Sequence, residues 1–167
     1  KSLGNVFRLR DILEKLDPVQ GGETLRFFLL RGHYRSEINY TWETLADAGN
    51  TLRGFYTALR EVPADRVAVD WAHPLAARFQ AAMNDDFDTP VAFAVLHELR
   101  SEVNRSKSAA LAGLLRALGG TLGFLQDDPE AFLQGGAGSL DVERLIAERL
   151  AARKARDFAR ADAIRKE

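Results

Sequence analysis

The stretch that decides the fold is TWETLADAGNTLRGFYTALRE, residues 41–61. Apolar side chains recur in it at three- and four-residue steps, the spacing that places them on one face of an α-helix. That face consists of Leu45, Ala48, Leu52, Phe55, Tyr56 and Leu59. The pattern predicts an amphipathic helix over 41–61, and such a helix is stable in water only when another element covers its apolar face.

Three further apolar stripes with helical spacing follow along the chain. The second comprises Leu75, Phe79, Ala82 and Met83, and the third comprises Ala92, Val95, Leu96, Leu99 and Val103. The fourth comprises Leu111, Leu114, Leu115, Leu118, Leu122 and Leu125, with a Gly-Gly pair at 119–120 that weakens its middle. Four such helices joined by short or moderate loops predict a mainly all-α fold, an antiparallel helical bundle over residues 41–126.

The segments on either side of the bundle have different patterns. Residues 1–40 predict a short mixed α/β region, with short helices over 7–16 and 23–31 and an extended or strand-like piece at 37–40. Residues 127–139 predict a flexible linker, because glycine and serine dominate its second half. Residues 140–167 predict charged helices that end without a C-cap signal, so we expect this region to be truncated.

Composition excludes several classes of site and leaves nucleic-acid binding open. The 167 residues contain no cysteine, which excludes disulfides and thiolate zinc sites within them. No run of about 18 apolar residues occurs, so no membrane partner is expected. The net charge is −1, yet residues 144–167 carry eight Lys or Arg against four Asp or Glu, and residues 1–35 carry seven against four. A polyanion would therefore meet the two ends of the chain, unless these charges are simply solvated helix faces.

Three carboxylates lie within four residues at Asp85, Asp86 and Asp88, a density that could hold Mg²⁺ or Ca²⁺. The following Thr89-Pro90 pair, however, is typical of a helix start, with threonine as the N-cap and proline at the first helical position. Acidic residues just before a helix favourably face its dipole, and the spacing is not that of an EF-hand loop. We therefore predict a helix cap here and no metal site.

Four segments occur in a diagnostic order. They are KSLGN at 1–5, RFFLLRGHYRSEINY at 26–40, AMNDDFDTP at 82–90 and AARKARDFARADAIRKE at 151–167. Together they resemble the cysteinyl-tRNA synthetases, which belong to the class I aminoacyl-tRNA synthetases. KSLGN is similar to the end of the KMSKSLGN loop of that class, so we expect the chain to begin inside that loop.

The resemblance implies a parent enzyme that activates cysteine with ATP and attaches it to the tRNA for cysteine. It implies a monomeric, cytoplasmic parent whose zinc lies in a catalytic domain upstream, with no cofactor held by this segment. It also implies that residues 1–40 contain the stem-contact region and that the bundle is of the anticodon-binding type. We expect the segment alone to form no cysteinyl-adenylate.

The resemblance also implies roles for individual residues. Lys1 is similar to the second lysine of the loop, which stabilises pyrophosphate as it leaves, so Lys1 is the catalytic candidate, and Lys1 and Ser2 are the ATP-binding candidates. The tRNA-contact candidates are Arg31, His33, Arg35, Arg153, Lys154, Arg156 and Arg160.

Other interpretations of the same residues stay open at this point. Lys1 could belong to a frayed terminus, His33 could pack under the first domain, and the basic tail could be a helix held by its own ion pairs. For the whole chain the alternatives are a related ligase that joins cysteine to an amino sugar, and a helical interaction module without an RNA role.

Overall fold

A computed structural model describes residues 8–135, and within that range the chain forms seven helices and no strand. The helices are α1 Leu9–Leu13, α2 Gly21–Leu30, α3 Trp42–Glu61, α4 Pro74–Asn84, α5 Thr89–Ser106, α6 Ala109–Thr121 and α7 Pro129–Gln134. Short connections join α4 to α5 and α5 to α6, so the chain reverses between neighbouring helices, as in antiparallel bundles. The predicted all-α bundle is confirmed.

The long helix α3 begins where its sequence supplies a cap. The Thr41 hydroxyl accepts a hydrogen bond from the Thr44 backbone N–H at 3.1 Å, and the Thr44 hydroxyl accepts one from the Thr41 N–H at 3.0 Å. This reciprocal pair of hydrogen bonds is a capping box. It satisfies two backbone N–H groups that have no carbonyl partner within the helix. All six residues of the apolar stripe that predicts α3 are buried.

The core continues through α4 and α5 along the predicted stripes. Every member of the α5 stripe is buried, and in the α4 stripe only Met83 is partly exposed. Aromatic rings from distant parts of the chain meet between these helices. Phe27 of α2 packs edge-on against Phe93 of α5, with ring centroids 4.7 Å apart, and against Phe124 at 5.4 Å. Helix α2, from the N-terminal part of the chain, thus contributes an aromatic ring to the core.

The prediction that the fourth stripe continues as a helix to Leu125 is wrong. Helix α6 ends at Thr121, and Gly123 and Leu125 have φ angles of +77° and +60°. These left-handed residues turn the chain away from the helix axis, and glycine makes the first of them easy. Leu125 is still buried, but it reaches the core from a loop.

The predicted flexible linker at 127–139 is wrong for its first half. Residues 129–134 form α7, whose Phe132 is fully buried and stacks on Tyr56 of α3 with ring centroids 3.8 Å apart. Arg53 of α3 also donates from Nη2 to the Leu133 carbonyl at 3.1 Å. The aromatic contact and the carbonyl contact both hold α7 on α3. The rest of the predicted linker, from residue 136, and the predicted helices over 140–167 lie outside the described residues.

The predicted extended piece at 37–40 is not a strand, because no other strand occurs in residues 8–135 to pair with it. It leads instead into the cap of α3. The Thr44 hydroxyl contacts the Asn39 carbonyl at 3.3 Å, and the Tyr40 ring packs edge-on against Phe28 at 5.8 Å. Residues 8–40 are therefore helical with connecting loops, and the mixed α/β assignment is corrected for them.

The start of α5 also differs from the prediction in its capping residue. Asp88, and not Thr89, is the N-cap, since its Oδ1 accepts a hydrogen bond from the Val91 backbone N–H at 3.1 Å. Thr89 is buried and donates its hydroxyl to the Gly32 carbonyl at 3.1 Å. Pro90 lies in the first turn, as predicted. Among the helices in the described range, none is both long and apolar enough to cross a membrane.

Candidate nucleic-acid interface

The predicted tRNA-contact residues that the structure describes lie together in one turn. Residues 31–36, here called the basic turn, follow the end of α2 and contain Arg31, His33 and Arg35. The turn is closed by a hydrogen bond from the Ser36 N–H to the His33 carbonyl at 2.8 Å. It faces residues 85–88, here called the acidic turn, which connect α4 to α5.

The carboxylate of Asp86 receives hydrogen bonds from two side chains of the basic turn. Tyr34 donates its hydroxyl to Oδ1 at 2.7 Å, and Arg35 donates from Nη1 to Oδ2 at 3.1 Å. The His33 ring lies nearby, with Nε2 3.1 Å from the Asp86 carbonyl oxygen and 3.9 Å from Oδ2. Both backbone and side chain of Asp86 therefore hold the basic turn.

Two hydrogen bonds determine which nitrogen of His33 carries the proton. The Arg35 backbone N–H donates to Nδ1 at 3.3 Å, so Nδ1 must present a lone pair. Nε2 faces the Asp86 carbonyl, which can only accept, so Nε2 must carry the hydrogen. His33 is thus a structural link between the two turns.

The acidic turn reaches the basic turn through an unusual backbone. Asp86 and Phe87 have φ angles of +50° and +54°, the left-handed region that non-glycine residues rarely occupy. Consecutive left-handed residues keep such a conformation only when surrounding contacts enforce it. Here those contacts include the bonds to Asp86, together with the Asp88 N–H, which donates to the Ala82 carbonyl at 3.0 Å.

The electrostatics of the contact follow from its hydrogen bonds. The Tyr34 hydroxyl, and next the Arg35 guanidinium, lower the pKa of the Asp86 carboxyl below its usual value. The same bond raises the pKa of the Tyr34 hydroxyl, because an ionised phenolate would lie against a carboxylate. Near neutral pH the contact thus joins an ionised Asp86 to an Arg35 cation and an uncharged Tyr34.

The two arginines of the basic turn present their charge to solvent. The Arg35 side chain is 70% exposed, although its Nη1 contacts Asp86. Arg31 is exposed, and its guanidinium lies 5.1 Å from the centroid of the Phe28 ring, a cation–π contact that orients it. A guanidinium has five N–H donors, so each arginine can still donate to a phosphate.

The structure brings together only part of the predicted site. Lys1, Ser2, Arg153, Lys154, Arg156 and Arg160 lie outside the described residues. Within the described range, the predictions omitted Tyr34 and Asp86 as members of the site. A tyrosine between a histidine and an arginine was visible in the sequence, but nothing local indicated that residue 86 would reach it.

Two family models match separate segments of this chain. The model described as tRNA synthetases class I (C) catalytic domain matches residues 1–50, and the model described as DALR domain matches residues 78–126. The basic turn lies in the first segment and the acidic turn in the second. The Asp86 contact therefore joins the two matched segments.

Curated relatives match the chain along its whole length. A cysteine–tRNA ligase of Delftia acidovorans is 57% identical over 99% of this chain and 36% of the relative. One of Polaromonas naphthalenivorans is 55% identical over 100% of the chain and 36% of the relative, and one of Ralstonia nicotianae is 54% identical over 99% and 36%. Over almost its whole length, the chain is similar to a segment of cysteine–tRNA ligases. It spans about a third of the length of the curated relatives it matches.

The family resemblance implies a zinc ion, and the residues present do not suit one. The chain has no cysteine, and residues 8–135 contain no group of three His, Asp or Glu side chains placed to bind a metal. Two of the three carboxylates of the acidic turn have other partners, since Asp86 binds the basic turn and Asp88 caps α5. No chemical step is therefore assigned to a metal on this segment.

Proposed function

We propose that this chain is the tRNA-binding part of a cysteine–tRNA ligase that uses ATP to attach cysteine to its tRNA. The observation that carries the proposal is sequence identity above 50% to such ligases over at least 99% of the chain. The order of a class I catalytic segment followed by a helical DALR segment supports it. A DALR bundle is expected to meet the anticodon arm of the tRNA.

The basic turn supports an RNA contact by its chemistry. Arg31 and Arg35 are both exposed, and arginine pairs with phosphate through charged, directional hydrogen bonds. Phosphate contacts of this kind position RNA without reading its sequence. We therefore assign the basic turn to the backbone of the tRNA, and we leave recognition of its bases to other parts of the ligase.

The remaining predicted roles are proposals for residues outside the described range. Lys1, with Ser2, would bind ATP, and the Lys1 ammonium would stabilise negative charge on the leaving pyrophosphate. Loss of one such donor typically raises a barrier by about 3 kcal/mol. The basic residues Arg153, Lys154, Arg156 and Arg160 would follow RNA phosphates. We infer a monomeric parent in the cytoplasm, with zinc held by a part of the ligase outside this chain.

Binding of the chain to tRNA across a range of salt tests the proposal. We expect tighter binding to the tRNA for cysteine than to an unrelated tRNA, with affinity falling steeply between about 50 and 200 mM salt. An Arg35→Gln variant should reduce the slope of log affinity against log salt by about 1, because one phosphate contact is lost. Weak binding of both RNAs that does not depend on salt would instead favour a helical interaction module.

A second assay separates activation of cysteine from binding of RNA. The full ligase should show cysteine-dependent exchange of pyrophosphate into ATP and should charge the tRNA, whereas this chain alone should show neither. Exchange above background by the isolated chain would contradict the assignment. Transfer of cysteine to an amino sugar by the full protein, without charging of tRNA, would favour the related ligase.

A further inference from the structure

We infer that Asp86 is a positioning residue for tRNA charging, which holds the basic turn in its RNA-binding arrangement and couples it to the helical bundle. The inference rests on the proposed function and deepens it, since it names the residue that sets the geometry of the RNA-facing arginine. The sequence predicts only a helix cap from the acidic residues before α5. Asp88 alone performs that task, which leaves Asp86 with a different one.

Two donors of the basic turn converge on the carboxylate of Asp86. Asp86 accepts from Tyr34 at Oδ1 and from Arg35 at Oδ2, so its two oxygens hold two consecutive residues of the basic turn. The His33 ring adds a bond to the Asp86 carbonyl. A single residue thereby fixes three side chains, and each would otherwise sample several rotamers on an exposed turn.

An unusual backbone conformation places the Asp86 carboxylate beside the basic turn. Asp86 and Phe87 both adopt left-handed conformations, which cost free energy for residues with side chains. The bond that caps α5 comes from Asp88, so neither left-handed residue makes it. The strained turn is explained if the position of the Asp86 carboxylate matters for function.

Asp86 holds only part of the Arg35 guanidinium. Asp86 engages Nη1 and leaves the rest of the guanidinium toward solvent, where the side chain is 70% exposed. The protein thus orients one edge of the Arg35 guanidinium, while the other N–H groups of that guanidinium can donate to a phosphate. Thr89 strengthens the junction, since its buried hydroxyl donates to the Gly32 carbonyl at 3.1 Å beside the basic turn.

The contact between Asp86 and the basic turn also joins the two segments that the family models match. The basic turn lies in the segment matched to the class I catalytic domain, and Asp86 lies in the segment matched to the DALR domain. RNA bound to the bundle would therefore meet one arginine, Arg35, whose orientation the bundle itself determines. A residue at this junction can influence charging of tRNA without touching ATP, cysteine or the reacting atoms.

The test is an Asp86→Asn substitution in the full ligase. Asparagine tolerates a left-handed backbone, and its side-chain oxygen can still accept from Tyr34, so the change removes mainly the charge that holds Arg35. We expect roughly a tenfold rise in the KM for tRNA, the size typical of one lost bond to a charged group. Pyrophosphate exchange with cysteine and ATP should stay at the wild-type rate, because that reaction needs no tRNA.

Glu98→Gln is the matched control. Glu98 pairs with Arg78 at 2.7 Å on the bundle surface, and its side chain is 48% exposed against 49% for Asp86. The Glu98→Gln substitution removes one negative charge, as Asp86→Asn does, from an ion pair of similar exposure that lies outside the basic turn. Its KM for tRNA should equal that of the wild type.

A double-mutant cycle with Arg35→Gln tests whether Asp86 changes the KM for tRNA through Arg35. If Asp86 acts through Arg35, the Asp86→Asn change should add little once Arg35 is removed. Full additivity would overturn the inference, and so would a KM unchanged from that of Glu98→Gln. A lower KM in Asp86→Asn would also overturn it, because Asp86 would then be masking Arg35 from RNA.

The activity of the wild-type ligase distinguishes failure of the proposed function from failure of the positioning role of Asp86 alone. If the wild type does not charge the tRNA for cysteine, the proposed function fails and the role of Asp86 fails with it. If the wild type charges that tRNA and Asp86→Asn behaves like the control, only the positioning role fails.

Discussion

At the scale of single residues, Gly113 shows how closely two parts of the chain approach. The loop after α3 crosses α6 at this point, and the Asp65 N–H donates to the Ala109 carbonyl at 3.1 Å. A Cβ on Gly113 would lie 2.4 Å from the Asp65 carbonyl oxygen and 3.0 Å from Val67 Cγ2. No side chain fits there without movement of the loop backbone.

Gly113→Ala should therefore destabilise the chain by about 1–3 kcal/mol, since the added methyl group forces a backbone shift in a packed region. Gly22→Ala is the matched control, because a Cβ at Gly22 meets nothing within 4 Å. It should stabilise α2 by up to about 1 kcal/mol through helix propensity. Chemical denaturation of both variants gives the comparison, and equal stabilities would contradict the close approach.

At the scale of elements, α7 is held by contacts that its six residues could not supply alone. Its cap is local, since the Asp128 side chain accepts from the Ala131 N–H at 2.9 Å. Its burial is not local, since Phe132 stacks on Tyr56 and the Gln20 side chain donates to the Phe132 carbonyl. A helix this short is stable only through such tertiary packing.

Phe132→Ala should reduce the free energy of unfolding by about 3–5 kcal/mol, as expected for a fully buried phenylalanine. Phe87→Ala removes the same atoms from a side chain that is 63% exposed, and it should change stability by no more than about 0.5 kcal/mol. Urea denaturation measures both. A cost for Phe132→Ala no greater than that for Phe87→Ala would mean that α7 does not dock on α3 in solution.

At the scale of the whole molecule, the buried carboxylate of Glu23 connects helix α2 to the loop between α6 and α7. Glu23 of α2 accepts from the Tyr56 hydroxyl at 2.7 Å and from the Leu125 N–H at 2.6 Å. Arg26, one turn later, donates to the Gly123 carbonyl at 2.8 Å. Helix α2 therefore holds the loop that leads into α7, about a hundred residues away along the chain.

Glu23 should make stability depend on pH in a defined direction. Burial raises the pKa of its carboxyl above the usual 4.5, outweighing the hydrogen bonds from Leu125 and Tyr56 that lower it. In the window just above pH 4.5, the folded chain binds more protons at this site than the unfolded chain does. The contribution of Glu23 to stability is therefore largest below that window and is lost as the pH rises through the folded pKa.

The neutral variant Glu23→Gln isolates this effect. The wild type should gain stability relative to Glu23→Gln as the pH falls through the window, by up to about 1.4 kcal/mol per pH unit. Denaturation of both proteins at a series of pH values gives the difference. A difference independent of pH, or one with the opposite slope, would show that Glu23 is not held in a desolvated site.

The sequence by itself determined the elements whose signals are local. The apolar stripes of α3, α4 and α5 are repeats at helical spacing, and burial on one face follows directly from that spacing. The family could also be named from four short segments in order, because their residues are read without knowing their contacts. The basic turn was identified as an RNA-facing candidate in the same way.

Only the tertiary structure decided the contacts between residues that are far apart along the chain. Periodicity could not show that α6 stops at Thr121, that α7 docks on Tyr56, or that Asp86 holds Arg35. Each depends on a partner supplied by another element, and a side chain's local pattern is the same whether that partner is present or not. The fold class was thus readable from the sequence, while the geometry of the candidate site came from the contact between the turn after α2 and the turn that joins α4 to α5.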